Sequence, residues 1–376
     1  MSEDPSREQE EVRKVLKALE KKDSNGVPAI ARTVSPLARI KALLEWSWRL
    51  RHEDPPQMVQ FALYATLVAD ELDARRYGVA QIFDIQARAY AELGNAYRVQ
   101  DRHYDSAKAL GRARELFERG ARDRTLETRL LELEGSLAAD RRQFGRASEK
   151  LLRVLEFYEQ QGDFHLAGRT LVKIGLYAGY AGDHEKGIAL LKKSLALVDE
   201  ERDPSLACAA AHNLILLFLD TGRFWEAKKV RLLYSRHLAE ARGRVNEIKF
   251  RALDGLIDAG LGNHVRAEAI FREVREGFEE VGRHYHAAIA GLDLTAALLA
   301  QGKSEDATIT AFEAEEVFIG LQIQREALQA VILLRDAFRA QTATLEMVQE
   351  VAGFLRRLEI EPALRFEGRA WEDPDR

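Results

Sequence analysis

The side chains able to do covalent or acid–base chemistry are scattered along this sequence. There are nine histidines. His284 and His286 stand two apart, which turns them to different faces of a helix. His212 has no acid and no second histidine at a metal-ligand spacing on the same helix. Glu315-Glu316 is an adjacent pair, expected to be exposed and solvated. The one cysteine, Cys208, leaves no intramolecular disulfide, and no His and acid pattern surrounds it, so it reads as a small apolar group in a packed helix. No Gly-x-x-x-x-Gly-Lys phosphate loop occurs, and Gly260-Leu261-Gly262 falls in a turn between helices. The expectation is a non-enzymatic chain with no metal site and no cofactor.

What the sequence does hold is a row of hydrogen-bonding side chains at recurring positions. Arg88, Asn95 and Arg98 form the first set, Arg129, Glu132 and Ser136 the second, and Arg169 and Lys173 the third. His212 and Asn213, then Lys249, then Asp293 continue it. Guanidinium and amide groups in such a row suit carboxylates and extended peptide backbone, both of which need donors in fixed geometry. Asn213 sits between Ala211 and Leu214, where a buried amide wants a partner. The chemistry expected of the row is binding.

A repeat sets that spacing. Ala107, Ala147, Gly187, Ala227, Ala267 and Ala307 lie 40 residues apart, and Gly182, Gly222, Gly262 and Gly302 stand five residues before the last four. A fixed period of this length marks stacked supersecondary units. Each copy reads as helix, turn, helix. The glycine supplies a left-handed cap after the first helix, and the small residue early in the second lets two backbones approach. A glycine in the first helix (Gly135, Gly175, Gly255) is expected to pack on the preceding pair. An aromatic in the turn (Tyr104, Phe144, Phe224) is expected to plug the seam. In copy one the string Leu93-Gly94-Asn95-Ala96-Tyr97 stands one residue early against Ala107, which an extra residue between Gln100 and Tyr104 would explain.

At this point the residues carry a family likeness. Leu93-Gly94-Asn95-Ala96-Tyr97 followed by Tyr104-Asp105-Ser106-Ala107, Asp220-Thr221-Gly222-Arg223-Phe224-Trp225-Glu226-Ala227 and Ala300-Gln301-Gly302-Lys303-Ser304-Glu305-Asp306-Ala307 resemble the tetratricopeptide repeat. The likeness covers roughly residues 36 to 340, with a period of 40 where the family's is usually 34. It implies an all-α, right-handed superhelical solenoid of antiparallel helix pairs, whose first helices line a groove that binds peptides or partner proteins. Some members hold a terminal carboxylate with a Lys-Asn-Asn-Lys-Arg clamp. Only Asn213 and Lys249 match it, and Val172, Leu176 and Leu253 occupy other clamp positions, so that function does not transfer.

The organisation expected is an N-terminal helix and linker over 1–35, an irregular first repeat over 36–76, six repeats over 77–325, capping helices over 326–366 and a tail over 367–376. The turn formers Asn25-Gly26-Val27-Pro28 would make the first helix a movable element. Trp46 and Trp48, two apart, cannot both point inward.

The chain has 376 residues, 31% of them charged, with a formal net charge of -5. This balance argues against a sequence-independent grip on nucleic acid. No apolar stretch approaches the roughly 18 residues of a membrane span, and the first residues lack the basic start and apolar middle of a secretory signal. A cytoplasmic protein–protein or peptide-binding scaffold is the expectation. The alternative is a regulatory subunit or sensor of a transcription or protease partner that switches on binding.

Overall fold

The computed structural model describes residues 5–20, 33–51, 53–235, 243–360 and 364–371. Every element among them is helical. The break at Asn25-Gly26-Val27-Pro28 and the prolines Pro362 and Pro374 lie outside the described residues. The chain divides into two compact units, residues 1–163 and 164–376.

The first unit runs α1 (Pro5–Glu20), α2 (Pro36–Arg49), α3 (Pro55–Asp70), a single turn α4 (Ala74–Tyr77), α5 (Val79–Val99), α6 (His103–Arg119), α7 (Arg124–Asp140) and α8 (Phe144–Gln161). Helix starts follow local chemistry. Ser35 caps α2 by accepting from the Ala38 amide, Asp54 caps α3 through the Gln57 amide, and each is followed by proline at the first helical position. Helix α1 docks Val15, Leu16 and Leu19 against Val34, Ala42 and Trp46. Glu11 accepts from the Ser35 amide at 2.8 Å beside this contact. Trp46 is thus the inward tryptophan of the pair, and Trp48 is 44% exposed.

The second unit runs α9 (Phe164–Tyr180), α10 (His184–Leu197), α11 (Pro204–Asp220), α12 (Phe224–Leu233), α13 (Arg244–Gly260), α14 (His264–Glu280), α15 (His284–Leu299), α16 (Ser304–Gly320), α17 (Arg325–Arg339) and α18 (Leu345–Ile360), with a 3-10 turn at Arg369–Trp371. Within each unit, successive helices pair as hairpins and the hairpins stack on their neighbours, as a one-dimensional repeat requires.

The turns explain the glycines. Gly182, Gly222, Gly262 and Gly302 have φ of 84°, 69°, 80° and 75°. At Gly182 its own amide donates to Gly179 O and the Asp183 amide to Ala178 O, which closes the helix end. Asp101 and Arg142 hold the same left-handed place in copies one and two without being glycine.

Copy one is in register once Ser106 is taken as its marker. The Ser106 amide donates to Arg102 O, as Ala147 does to Gln143 O and Gly187 to Asp183 O, and Ser106 is fully buried. The turn between Gln100 and Tyr104 therefore has no extra residue. The extra one lies further on, because the left-handed residues Asp101 and Arg122 are 21 apart where Arg142 and Gly162 are 20 apart. The same slip corrects the aromatic plug. Tyr104 is 79% exposed and plugs nothing, whereas Phe224 fills the place where a Cβ on Gly260 would come within 2.2 Å of its ring.

The mid-helix glycines also face a different neighbour from the one expected. Cβ atoms on Gly94, Gly135, Gly175 and Gly255 would meet Leu110, Leu151, Leu191 and Phe271, each in the second helix of the same hairpin. The tightest backbone approach is at Gly187, where a Cβ would sit 2.9 Å from Gly175 O and 2.7 Å from Leu217 Cδ1. Gly187→Ala should therefore lower stability by about 1–3 kcal/mol through overpacking. Urea denaturation checks it, and an unchanged midpoint would contradict the packing.

The last hairpin, α17–α18, departs from the repeat: α18 packs on α17 and also back on α15. Glu315 corrects the expectation of a solvated pair. It is buried and held by Arg335 at 3.1 Å, while Glu316 is exposed.

Candidate functional site

In the first unit the row of polar residues closes into a network. Arg129 on α7 donates from Nε and Nη2 to the two carboxylate oxygens of Glu92 on α5, both at 2.9 Å. Its Nη1 donates to Glu132 at 3.1 Å. Arg88 also pairs with Glu92, at the Oε1 that Arg129 Nε meets, at 3.1 Å, and Tyr158 on α8 donates to Glu132 at 3.2 Å. Glu92 is 8% exposed and Glu132 5%. Burial pushes the Glu92 carboxyl up, but Arg129 and Arg88 outweigh it and leave the group below its ordinary range. Burial likewise disfavours the Arg129 cation, and the two carboxylates more than reverse it.

One turn further along α5, Arg98 donates from Nε and Nη2 to Asn95 Oδ1 and from Nη1 to Asp140 at 2.8 Å. This fixes the Asn95 amide, whose Nδ2 is buried without a hydrogen-bond partner. Ser136 donates to its own helix at Glu132 O. Trp48 stands beside the network, with Arg51 4.4 Å and Arg129 5.8 Å from its ring centroid. The predicted residues thus fall into two sets on the first helices, Arg88, Arg129 and Glu132 in one and Asn95 and Arg98 in the other, while Ser136 bonds back to its own helix. Arg98 and Arg129 spend most of their donors on the protein itself. Glu92, Asp140 and Tyr158 are the participants the sequence reading missed. The i,i+4 spacing of Arg88 and Glu92 was the available signal for the first.

In the second unit the corresponding face is more open. Arg169 and Lys173 on α9 and His212, Asn213 and Leu216 on α11 are half-buried, and Lys249 on α13 is exposed. Burial pushes the His212 imidazole down, a hydrogen bond with Asn213 opposes this, and the Lys249 charge adds to the lowering. The His212 ring meets Phe250 edge-on, with centroids 6.0 Å apart. Asp220 ends α11. Its carboxyl is pushed up by surrounding protein and pulled back by His184, Arg356 and Arg357.

Asp293 on α15 is placed differently from the rest of its row. It is covered by α18, whose Arg356 forms an ion pair with it. Burial raises its carboxyl and Arg356 only partly compensates. The residues around it repeat the open positions of α11 and α13 at 40-residue steps. Ala209 and Lys249 are exposed where Ile289 is buried, and Leu216 and Leu256 are half-buried where Ala296 is buried.

The first unit by itself offers paired charges, an amide and an aromatic ring, and the second by itself offers basic groups, an amide and apolar side chains, which are ingredients of recognition. Among the described residues no three His, Cys, Asp or Glu side chains gather to hold a metal ion, and no helix is long and apolar enough to cross a membrane.

Comparison with solved structures supplies the fold. The chain is similar to a Rap protein complexed with competence and sporulation factor, with a TM-score of 0.56 at 12% identity over 86% of this chain and 88% of that one. It is also similar to the apo form of the quorum sensor NprR from B. thuringiensis, with a TM-score of 0.56 at 13% identity over 88% and 98%. The fold is a tetratricopeptide-like helical repeat. Aspartyl phosphate phosphatase F from Bacillus subtilis superposes with a TM-score of 0.54 at 15% identity over 81% of this chain and 79% of that one. No protein-family model matches the sequence, and no curated protein matches it.

Proposed function

We propose that this chain is a non-enzymatic interaction protein that takes a peptide, or an extended segment of a partner protein, against the first helices of its repeats. The observation that carries the reading is the open face of α9, α11 and α13. It presents Arg169, Lys173, His212, Asn213 and Lys249 beside the half-buried Leu216 and Leu256, on a scaffold already ordered by stacking. A preformed face keeps the ordering cost of binding low. In the first unit the paired Arg98 and Arg129 form the wall of such a face, with Trp48 as its aromatic anchor. The excess of basic groups on the open face favours a ligand with acidic side chains or a free carboxylate.

A regulatory reading is the second one. It is favoured by the names of the similar structures, a quorum sensor and a Rap protein bound to a competence and sporulation factor. On that reading the bound segment changes the state of the repeat array and thereby of a second partner.

The test is Arg169→Ala with Asn213→Ala. Hydrogen bonds to charged groups contribute about 1.5–3 kcal/mol each, so affinity for the partner captured from the native host should fall at least about tenfold. Calorimetry measures it, with far-UV circular dichroism showing the helices intact. Unchanged affinity in a folded variant would remove the assignment.

A further inference from the structure

The first-helix face of the last copy is occupied, and its occupant is the chain itself. Helix α15 is apolar nearly all round: Ile289, Leu292 and Ala296, on the face left open in copies four and five, are buried here. A helix that is hydrophobic on every side needs a neighbour on every side, and α18 supplies the missing one. Its Val348, Val351, Phe354 and Leu355 are all within 1% of full burial. Two polar contacts fix its register. Arg356 pairs with Asp293 in the middle of the face, and Tyr285 Oη donates to Leu355 O at 2.9 Å. The charges of Arg356 and Arg357 also act to lower the Asp220 carboxyl of copy four.

We propose that the first-helix face of the last copy is a helix-acceptor site and that α18 is its self-ligand. The partner chemistry that fits it is an amphipathic helix with apolar anchors at i, i+3, i+6 and i+7 and an arginine that reaches Asp293. The repeat makes this a recognition mode and not only an end cap. Like a cap, α18 keeps a polar outer face in the exposed Glu346, Gln349 and Arg357, but it is also pinned by a specific ion pair at the very register position that holds Asn213 in copy four. The tether is short: α17 ends at Arg339 and α18 begins at Leu345, with Gln341 between them at a left-handed φ of 58°. So short a tether keeps the resident helix at a millimolar-scale effective concentration, and a free helix competes only when the resident is weakened.

The inference needs no partner on the open copies, so it stands or falls separately from the proposed function. Hydrogen exchange on the full chain is the first measurement. Amides of α18 should exchange about tenfold faster than those of α15 through local opening, and Asp293→Asn should speed α18 while leaving α9 and α11 unchanged. The second uses a fluorescently labelled synthetic peptide of residues 343–360. The full chain carrying Arg356→Glu should take it up, and the chain carrying Asp293→Arg should not. If α18 and α15 exchange together at one global rate in both the native chain and Asp293→Asn, α18 is a fixed cap and the proposal is wrong. Failure of a folded Arg356→Glu chain to bind the peptide at millimolar concentration overturns it equally.

Discussion

Arg129→Ala should cost the first unit about 3–5 kcal/mol, the range for removing one partner of a buried ion pair. The loss comes less from the missing attraction than from what stays behind. Glu92 and Glu132 are both nearly buried and share this one guanidinium. Without it Glu92 keeps only the half-exposed Arg88, and Glu132 keeps Tyr158 as its hydroxyl donor. Two carboxylates desolvated by the same wall then repel one another, and Glu92 would be driven toward its protonated form. Replacing the group together, as Glu92→Leu, Arg129→Met and Glu132→Leu, should recover most of the loss, because an apolar cluster of similar volume need not desolvate charge. The array offers its own precedent, since the place of Glu132 is taken by Val172 in copy three. Denaturant titration followed by hydrogen exchange on α5 and α7 measures both variants. A loss under 1 kcal/mol for Arg129→Ala would mean that water already solvates the network.

Phe218→Ala should cost the second unit about 3–5 kcal/mol. Phe218 is 1% exposed at the centre of copy four, packed among Leu214, Ile215, Ala227 and Leu253, and its ring lies 5.2 Å from Lys192 Nζ and 4.8 Å from the Arg223 guanidinium carbon. Truncation removes the apolar volume and both cation contacts together. Because each repeat contacts only its neighbours, a weakened middle copy should also uncouple those on either side. The expected result is a thermal transition that broadens or splits in two. A single sharp transition at the original midpoint would show that the copies are not stacked through this residue.

Much of this architecture was legible because it is periodic. The 40-residue spacing and the turn glycines are local signals, and Gly182, Gly222, Gly262 and Gly302 take the left-handed conformation their positions imply. Copy one misled because its signals are substituted: Asp101 stands where copies three to six have glycine, and Ser106 stands where the other copies have alanine or glycine. A neighbouring Ala107 then looked like the marker. The polar row was legible as a row, but its pairing was not. Glu92 meets Arg129 across 37 residues, and Glu315 meets Arg335 across 20. Whether a charge is solvated or spent on a neighbour depends on stacking that no local spacing encodes. The return of α18 onto α15 is the least periodic feature of all. Its trace in the sequence was the run of apolar residues from Ala287 to Leu299, interrupted chiefly by Asp293, which leaves no polar face for solvent.

The most direct test of the account puts a photocrosslinking amino acid at single positions in the full chain, in the cells that make it. Positions 169, 213 and 249 place it on the first-helix face of the second unit, and positions 229 and 276 on exposed second-helix residues of the same unit. The account predicts that one partner is captured from the first set and not from the second. Capture of that partner only from positions 229 and 276 would contradict it.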